Sequence, residues 1–106
     1  MKTLISDLLE KGQLAMGVCV NEWGVKRMKT RLGTCNPRAK RIWLNLELAK
    51  KPAPCLEYIV VHELAHLIEK SHGERFVALM DKHLPQWRVR QQELKEAPLA
   101  HEVWEY

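Results

Sequence analysis

The sequence predicts one small α+β domain, with a short antiparallel β-hairpin or sheet packed on a buried central helix and two to three further helices around it. Three observations carry that expectation. The chain has 106 residues, the common size of a single domain with one modest core, and the domain is expected to span residues 1–106. Its middle third alternates apolar and polar residues on either side of a turn signal. Its second half keeps helical spacing, punctuated by proline and glycine.

The elements follow in chain order. Residues 3 to 11 read as a short amphipathic helix with Leu4, Leu8 and Leu9 inward, after which Gly12 and Gly17 loosen the chain. From Val18 to Leu32 the pattern turns strand-like, GTCNPRAK holds a turn at Asn36 and Pro37, and RIWLN at 41–45 is a second strand, so an antiparallel hairpin follows. Lys51-Pro52-Ala53-Pro54 stops that unit, and Pro54 suits the first turn of the next helix, where a missing N–H is harmless. CLEYIVVHELAHLIEK is then about four turns of nearly continuous apolar sequence, the mark of a helix buried on most sides. Gly73 interrupts it. ERFVALMDKHL resumes the spacing through Phe76, Met80 and Leu84, and Pro85 opens a last helix with Trp87, Gln91 and Leu94 on one face. The tail APLAHEVWEY has no clear period and offers Trp104 and Tyr106 for packing.

With 46% hydrophobic and 28% charged residues, the composition is that of a globular protein, and no apolar window reaches the length of a membrane span. Asp7 and Glu10 inside the N-terminal pattern argue against a signal peptide, so a cytoplasmic protein is expected. Cys19, Cys35 and Cys55 are odd in number and never form a CxxC pair, which suits reduced structural thiols and not a disulfide framework or a cysteine-ligated zinc. Between Lys26 and Lys51 stand Lys26, Arg27, Lys29, Arg31, Arg38, Lys40, Arg41, Lys50 and Lys51 against the single acid Glu47. Read alone, such a run is a solvated strand face, because it lacks interleaved exposed aromatics beyond Trp43.

The chemistry concentrates in VVHELAHLIEKSH, residues 60–72. Positions four apart share a helical face, so His62 and His66 can aim their rings at one point. Glu63 is turned about 100 degrees away, too far round for a ligand but near enough to reach a water on the metal. As ordinary core residues, two imidazoles and a carboxylate in so apolar a run would leave several unpaired buried groups. A bound metal removes that cost.

A third ligand would leave a tetrahedral zinc one open position. Glu69 shares the histidine face but lies about 10 Å along the axis from His62, so it suits a solvated or supporting hydrogen-bond role. His72, six residues past His66, can return to the metal if the chain leaves the helix near Gly73, and its spacing matches the third histidine of HExxHxxGxxH, with Glu69 at the glycine position. Glu74, at the start of the next helix, is the alternative. His83 and His101 match no ligand spacing.

Together, MKTRLGTCN, RIWLNLELAKKP and CLEYIVVHELAHLIEKSHGERFVALMDKHLPQWR resemble the YgjP-type zinc metallopeptidases, which are related to the WLM and SprT-like proteases. The resemblance runs from about Val25 to Trp104, with RLGTC standing where the family usually has RWGSC. It implies a minimal zincin-like fold, a Zn2+ held by His62, His66 and His72, and Glu63 as the general base. Hydrolysis of a peptide or protein substrate through a zinc-activated water is the activity expected. Two other functions fit the same residues. One is a metal-dependent hydrolase of a phosphate ester or nucleotide anhydride; the other is a DNA-associated protease module using Arg38, Lys40 and Arg41 on the basic hairpin. Tyr58 and Arg75 are the candidates for an oxyanion partner, and RIWLN is the candidate strand to which an extended substrate could add.

Overall fold

The computed structural model describes residues 2–29 and 31–96. Helix α1 (Lys2–Met16) leads into strand β1 (Glu22–Lys26), strand β2 (Gly33–Asn36) and strand β3 (Arg41–Asn45). A 3-10 turn (Leu46–Lys50) then precedes helices α2 (Ala53–Ile68), α3 (Glu74–His83) and α4 (Trp87–Glu96). The α+β class and the three helices besides α2 agree with the sequence reading; the tail, with His101, Trp104 and Tyr106, lies outside the described residues.

The first helix runs further than its pattern suggested. Gly12 sits inside it, because α1 crosses α2 so closely there that a Cβ at Gly12 would collide with the Leu64 side chain. The helix stops at Gly17, whose N–H donates to the Gln13 carbonyl at 2.9 Å. Ile5 and Leu9 are buried while Leu4 is exposed, so the inward face is rotated from the predicted leucine stripe.

The sheet has the order β1-β3-β2. The hairpin exists, but its first strand is GTCN itself: β2 pairs antiparallel with β3, Gly33 opposite Leu44 and Asn36 opposite Arg41. β1 lies on the other side of β3 and runs parallel to it, with Trp23 opposite Ile42. RIWLN is therefore the central strand, with both edges already paired, and it cannot accept an added strand. Its Ile42 and Leu44 are fully buried against the helical layer.

Asn45, at the end of β3, is also fully buried. Its amide donates to the carbonyls of Met28 at 3.0 Å and Arg31 at 2.7 Å, and its oxygen accepts from the Glu47 N–H at 3.0 Å. One side chain thus satisfies the loop entering β2 and caps the 3-10 turn, as buried polar groups must be satisfied.

Helix α2 is the axis of the core. Cys55, Leu56, Tyr58, Ile59, Val60, Leu64 and Ala65 are buried along it, together with His62 and Glu63. Each large aliphatic side chain so enclosed contributes about 1.5–3 kcal/mol relative to exposure. Pro54 lies in its first turn, as expected. α3 contributes Phe76 and Met80 to the same core, and α4 contributes Trp87 and Leu94. The turn between α3 and α4 is tied by Asp81, whose carboxylate accepts from Trp87 Nε1 at 2.8 Å and Arg88 Nη1 at 2.9 Å.

Candidate metal centre

His62 and His66 project from consecutive turns of α2, as their spacing requires. The helix then ends earlier than Gly73: Ile68 is its last residue, and Glu69 takes an extended conformation at φ −133° and ψ 114°. No glycine is needed for that exit, so Glu69 can stand at the position where the extended motif has glycine. The four residues that follow carry His72 back toward the helix.

The three imidazoles meet through their Nε2 atoms. His66 Nε2 lies 3.2 Å from His62 Nε2 and 3.0 Å from His72 Nε2, and the third side of the triangle is 3.5 Å. Tetrahedral ligands at the usual zinc–nitrogen distance stand about 3.3 Å apart, so the triangle has the size such an ion imposes. Tautomers strengthen the fit. His66 Nδ1 faces the Glu69 carbonyl at 3.2 Å; a carbonyl only accepts, so this nitrogen carries the proton and neutral His66 presents a bare lone pair at Nε2. One cation can engage the three lone pairs at once, whereas shared protons cannot satisfy every side of the triangle. His62 Nδ1 is buried with no hydrogen-bond partner among the described residues.

Burial favours the neutral rings that a metal needs. It pushes His62 down to about 3, helped by the neighbouring charges of His66 and His72. It also lowers His66, against the opposing hydrogen bonds to the Glu69 and Lys70 backbone. His72 is exposed at the mouth of the cluster. Behind all three rings stands Phe76, with its centroid 5.0 Å from His62, 4.6 Å from His66 and 4.9 Å from His72. The sequence marked Phe76 only by its helical spacing; its place behind the rings depends on how α3 returns across α2.

Glu63 is 3% exposed. Burial pushes its carboxyl up to about 8, while the Arg31 guanidinium pulls the other way. β2 comes so near that a Cβ on Gly33 would lie 2.8 Å from Glu63 Oε2 and 3.0 Å from Ile59 Cγ2. Gly33 therefore lets the strand approach the carboxylate.

The cluster opens into a cleft of about 420 Å³, with Arg31, Gly33, Thr34, Cys35 and Pro37 on the strand side and His62, Glu63, His66, Lys70 and His72 on the helix side. Cys35 is free. Burial, with Glu63 adding to it, pushes its thiol up to about 12, so it remains protonated at neutral pH. Glu74 is exposed and outside the three-histidine group, and the Glu69 carboxylate accepts a hydrogen bond from Ser71 at 3.4 Å. Glu69 thus assists through its backbone carbonyl and not its acid. Tyr58 is built into the core, edge-on to His62 and stacked on Trp87, and neither it nor Arg75 lines the cleft. His83 borders a separate small hollow between α1 and α2.

A buried helix carrying two histidines and a glutamate, a third histidine returned by a turn, and an edge strand beside them define the metal-dependent hydrolases of the zincin-like class. The comparisons agree. The description "YgjP-like, metallopeptidase domain" matches residues 1–97, and the chain belongs to this metallopeptidase family. The match takes in α1, ahead of the Val25 at which the motif resemblance begins. Among solved structures, the metallopeptidase zymogen of Pyrococcus abyssi abylysin is similar at 21% identity and a TM-score of 0.77, over 85% of this chain and 90% of that one. The metallopeptidase zymogen of Methanocaldococcus jannaschii jannalysin is similar at 21% identity and a TM-score of 0.73, over 85% and 92%. At that identity the likeness is one of fold. Among curated proteins none matches.

Proposed function

We propose that this protein is a zinc-dependent peptidase in which His62, His66 and His72 hold the metal and Glu63 is the general base. The observation that carries this reading is the Nε2 triangle of 3.0, 3.2 and 3.5 Å with a buried carboxylate one residue from its first corner. Three neutral imidazoles suit zinc among the common ions and leave one tetrahedral position open. Bound there, zinc supplies Lewis acidity toward the scissile carbonyl and lowers the pKa of an attacking water.

The chain's own residues supply the rest. Glu63 takes the proton of the attacking water and returns it to the departing amine. Its burial keeps its proton affinity high, and a dication held by the three histidines would lower that affinity. The Glu69 carbonyl orients His66, and Phe76 restrains all three rings. Because β3 is paired on both sides, the strand for an extended substrate is β2, the sheet edge whose Gly33, Thr34 and Cys35 line the cleft.

Part of the basic run is engaged locally. Arg41 pairs with Glu22 at 3.0 Å, Lys50 with Glu47 at 3.1 Å, and Lys26 Nζ sits 4.8 Å from the Trp43 ring centroid. No helix among the described residues is long and apolar enough to cross a membrane.

Glu63→Gln separates binding from catalysis. Zinc content should stay stoichiometric while hydrolysis of an unfolded protein falls at least about 100-fold, the usual contribution of a general base. Unchanged hydrolysis in this variant would remove Glu63 from the mechanism.

A further inference from the structure

The cleft carries more positive charge than its one buried carboxylate balances among the described residues. Among the described residues its one carboxylate is the buried Glu63, whereas two cationic side chains, Arg31 and Lys70, line it. They enter from different elements. Arg31 stands immediately before β2 and is close enough to Glu63 to act on its charge; Lys70 follows the end of α2, where its backbone lies against His66. Arg31 is held in place, because the buried Asn45 amide donates to its carbonyl at 2.7 Å and to that of Met28 at 3.0 Å. Besides these charged groups the described lining residues are the three imidazoles, Gly33, Thr34, Cys35 and Pro37, with no large aliphatic side chain among them. A substrate side chain entering the cleft therefore meets positive charge beside the imidazole faces and Pro37, with no deep aliphatic pocket among the described residues.

The geometry points to Arg31 and Lys70 as specificity determinants that select peptides carrying a carboxylate close to the scissile bond. This rests on the peptidase reading and adds the class of substrate. Both side chains are exposed, so each acts at a high-dielectric site, where one such ion pair changes affinity by up to about fivefold. Arg31 can grip a carboxylate through two parallel N–H donors, whereas Lys70 offers a point charge. The carboxylate can come from an internal Asp or Glu, or from the C-terminus of a short peptide.

Binding to zinc-loaded Glu63→Gln protein, followed by fluorescence anisotropy, reads the preference without turnover. The probes are end-blocked peptides identical except for a central Glu, Gln or Lys, and a Gln peptide with a free C-terminus. The blocked Glu peptide should bind about five- to tenfold more tightly than its Gln counterpart, and the Lys peptide more weakly than either. In a protein also carrying Arg31→Gln and Lys70→Gln the Glu and Gln peptides should bind alike, and Arg31→Lys should keep most of the margin. Raising salt to about 0.5 M should narrow it. A margin only for the free C-terminus would name that end as the carboxylate recognised.

Equal binding of the Glu, Gln and Lys peptides, or no measurable binding of any, overturns the inference. So does an acid preference that survives in the double glutamine background, which would belong to the metal alone. Hydrolysis of the same peptides by wild type is scored separately. Failure to cleave while the charge-dependent preference stands would count against the peptidase reading and not against this one.

Discussion

The two walls of the cleft are built in opposite ways. The helix wall takes His62, Glu63 and His66 from one continuous turn-and-a-bit of α2 and His72 from the turn directly after it. Local geometry alone nearly assembles it. The strand wall takes Arg31, Gly33 and Cys35 from a segment some thirty residues earlier, whose place depends on pairing with β3 and on the Asn45 clamp. On the proposed function the helix wall would carry the reactive groups, and the strand wall would set how close a substrate comes and which charges it meets. Changes on the two sides should therefore fail differently.

The largest effect is expected behind the helix wall. Phe76→Ala removes a buried ring that touches all three imidazoles, and should cost about 3–5 kcal/mol of stability. Zinc affinity should fall with it, as the rings lose their common support. Denaturant unfolding of the metal-free protein and competitive zinc titration measure the two effects. A variant that unfolds at the same midpoint and binds zinc as wild type does would show that the buttress is idle.

A smaller and different effect is expected from the strand wall. Gly33→Ala places a methyl 2.8 Å from Glu63 Oε2 and 3.0 Å from Ile59, so β2 must move outward or the Glu63 carboxylate must turn aside. Overpacking of this kind costs about 1–3 kcal/mol. Hydrolysis should drop about tenfold because a displaced edge strand misplaces the substrate. Zinc content should not change. Loss of zinc in this variant would mean that the walls are not separable, and that the strand supports the histidines as well as the substrate.

The same contrast explains what could be read from the sequence. The HExxH helix, its burial, its proline start and the return of His72 all follow from spacing within a score of residues. Sheet order does not. The alternation from Val18 to Leu32 gave no sign that β1 would run parallel to β3, and GTCN looked like a turn because it ends in Asn36 and Pro37 follows at once. The substrate strand was accordingly expected at RIWLN, whereas the free edge beside α2 is β2. Gly12 looked like a helix breaker because the chain does not reveal that Leu64 packs over it. Arg31 stood in the basic run with no mark to separate it from Lys29 or Arg38. The spacing offered Glu69 as either a solvated residue or a supporting hydrogen-bond partner, and it is its carbonyl, not its carboxylate, that meets His66.

Anomalous diffraction at the zinc edge, from crystals grown with equimolar zinc, addresses the central claim most directly. One strong peak is expected, about 2.0–2.1 Å from Nε2 of His62, His66 and His72, with a fourth position open to the cleft. A peak bound elsewhere, or one that leaves His72 without a bond to the metal, would contradict the assignment of the site.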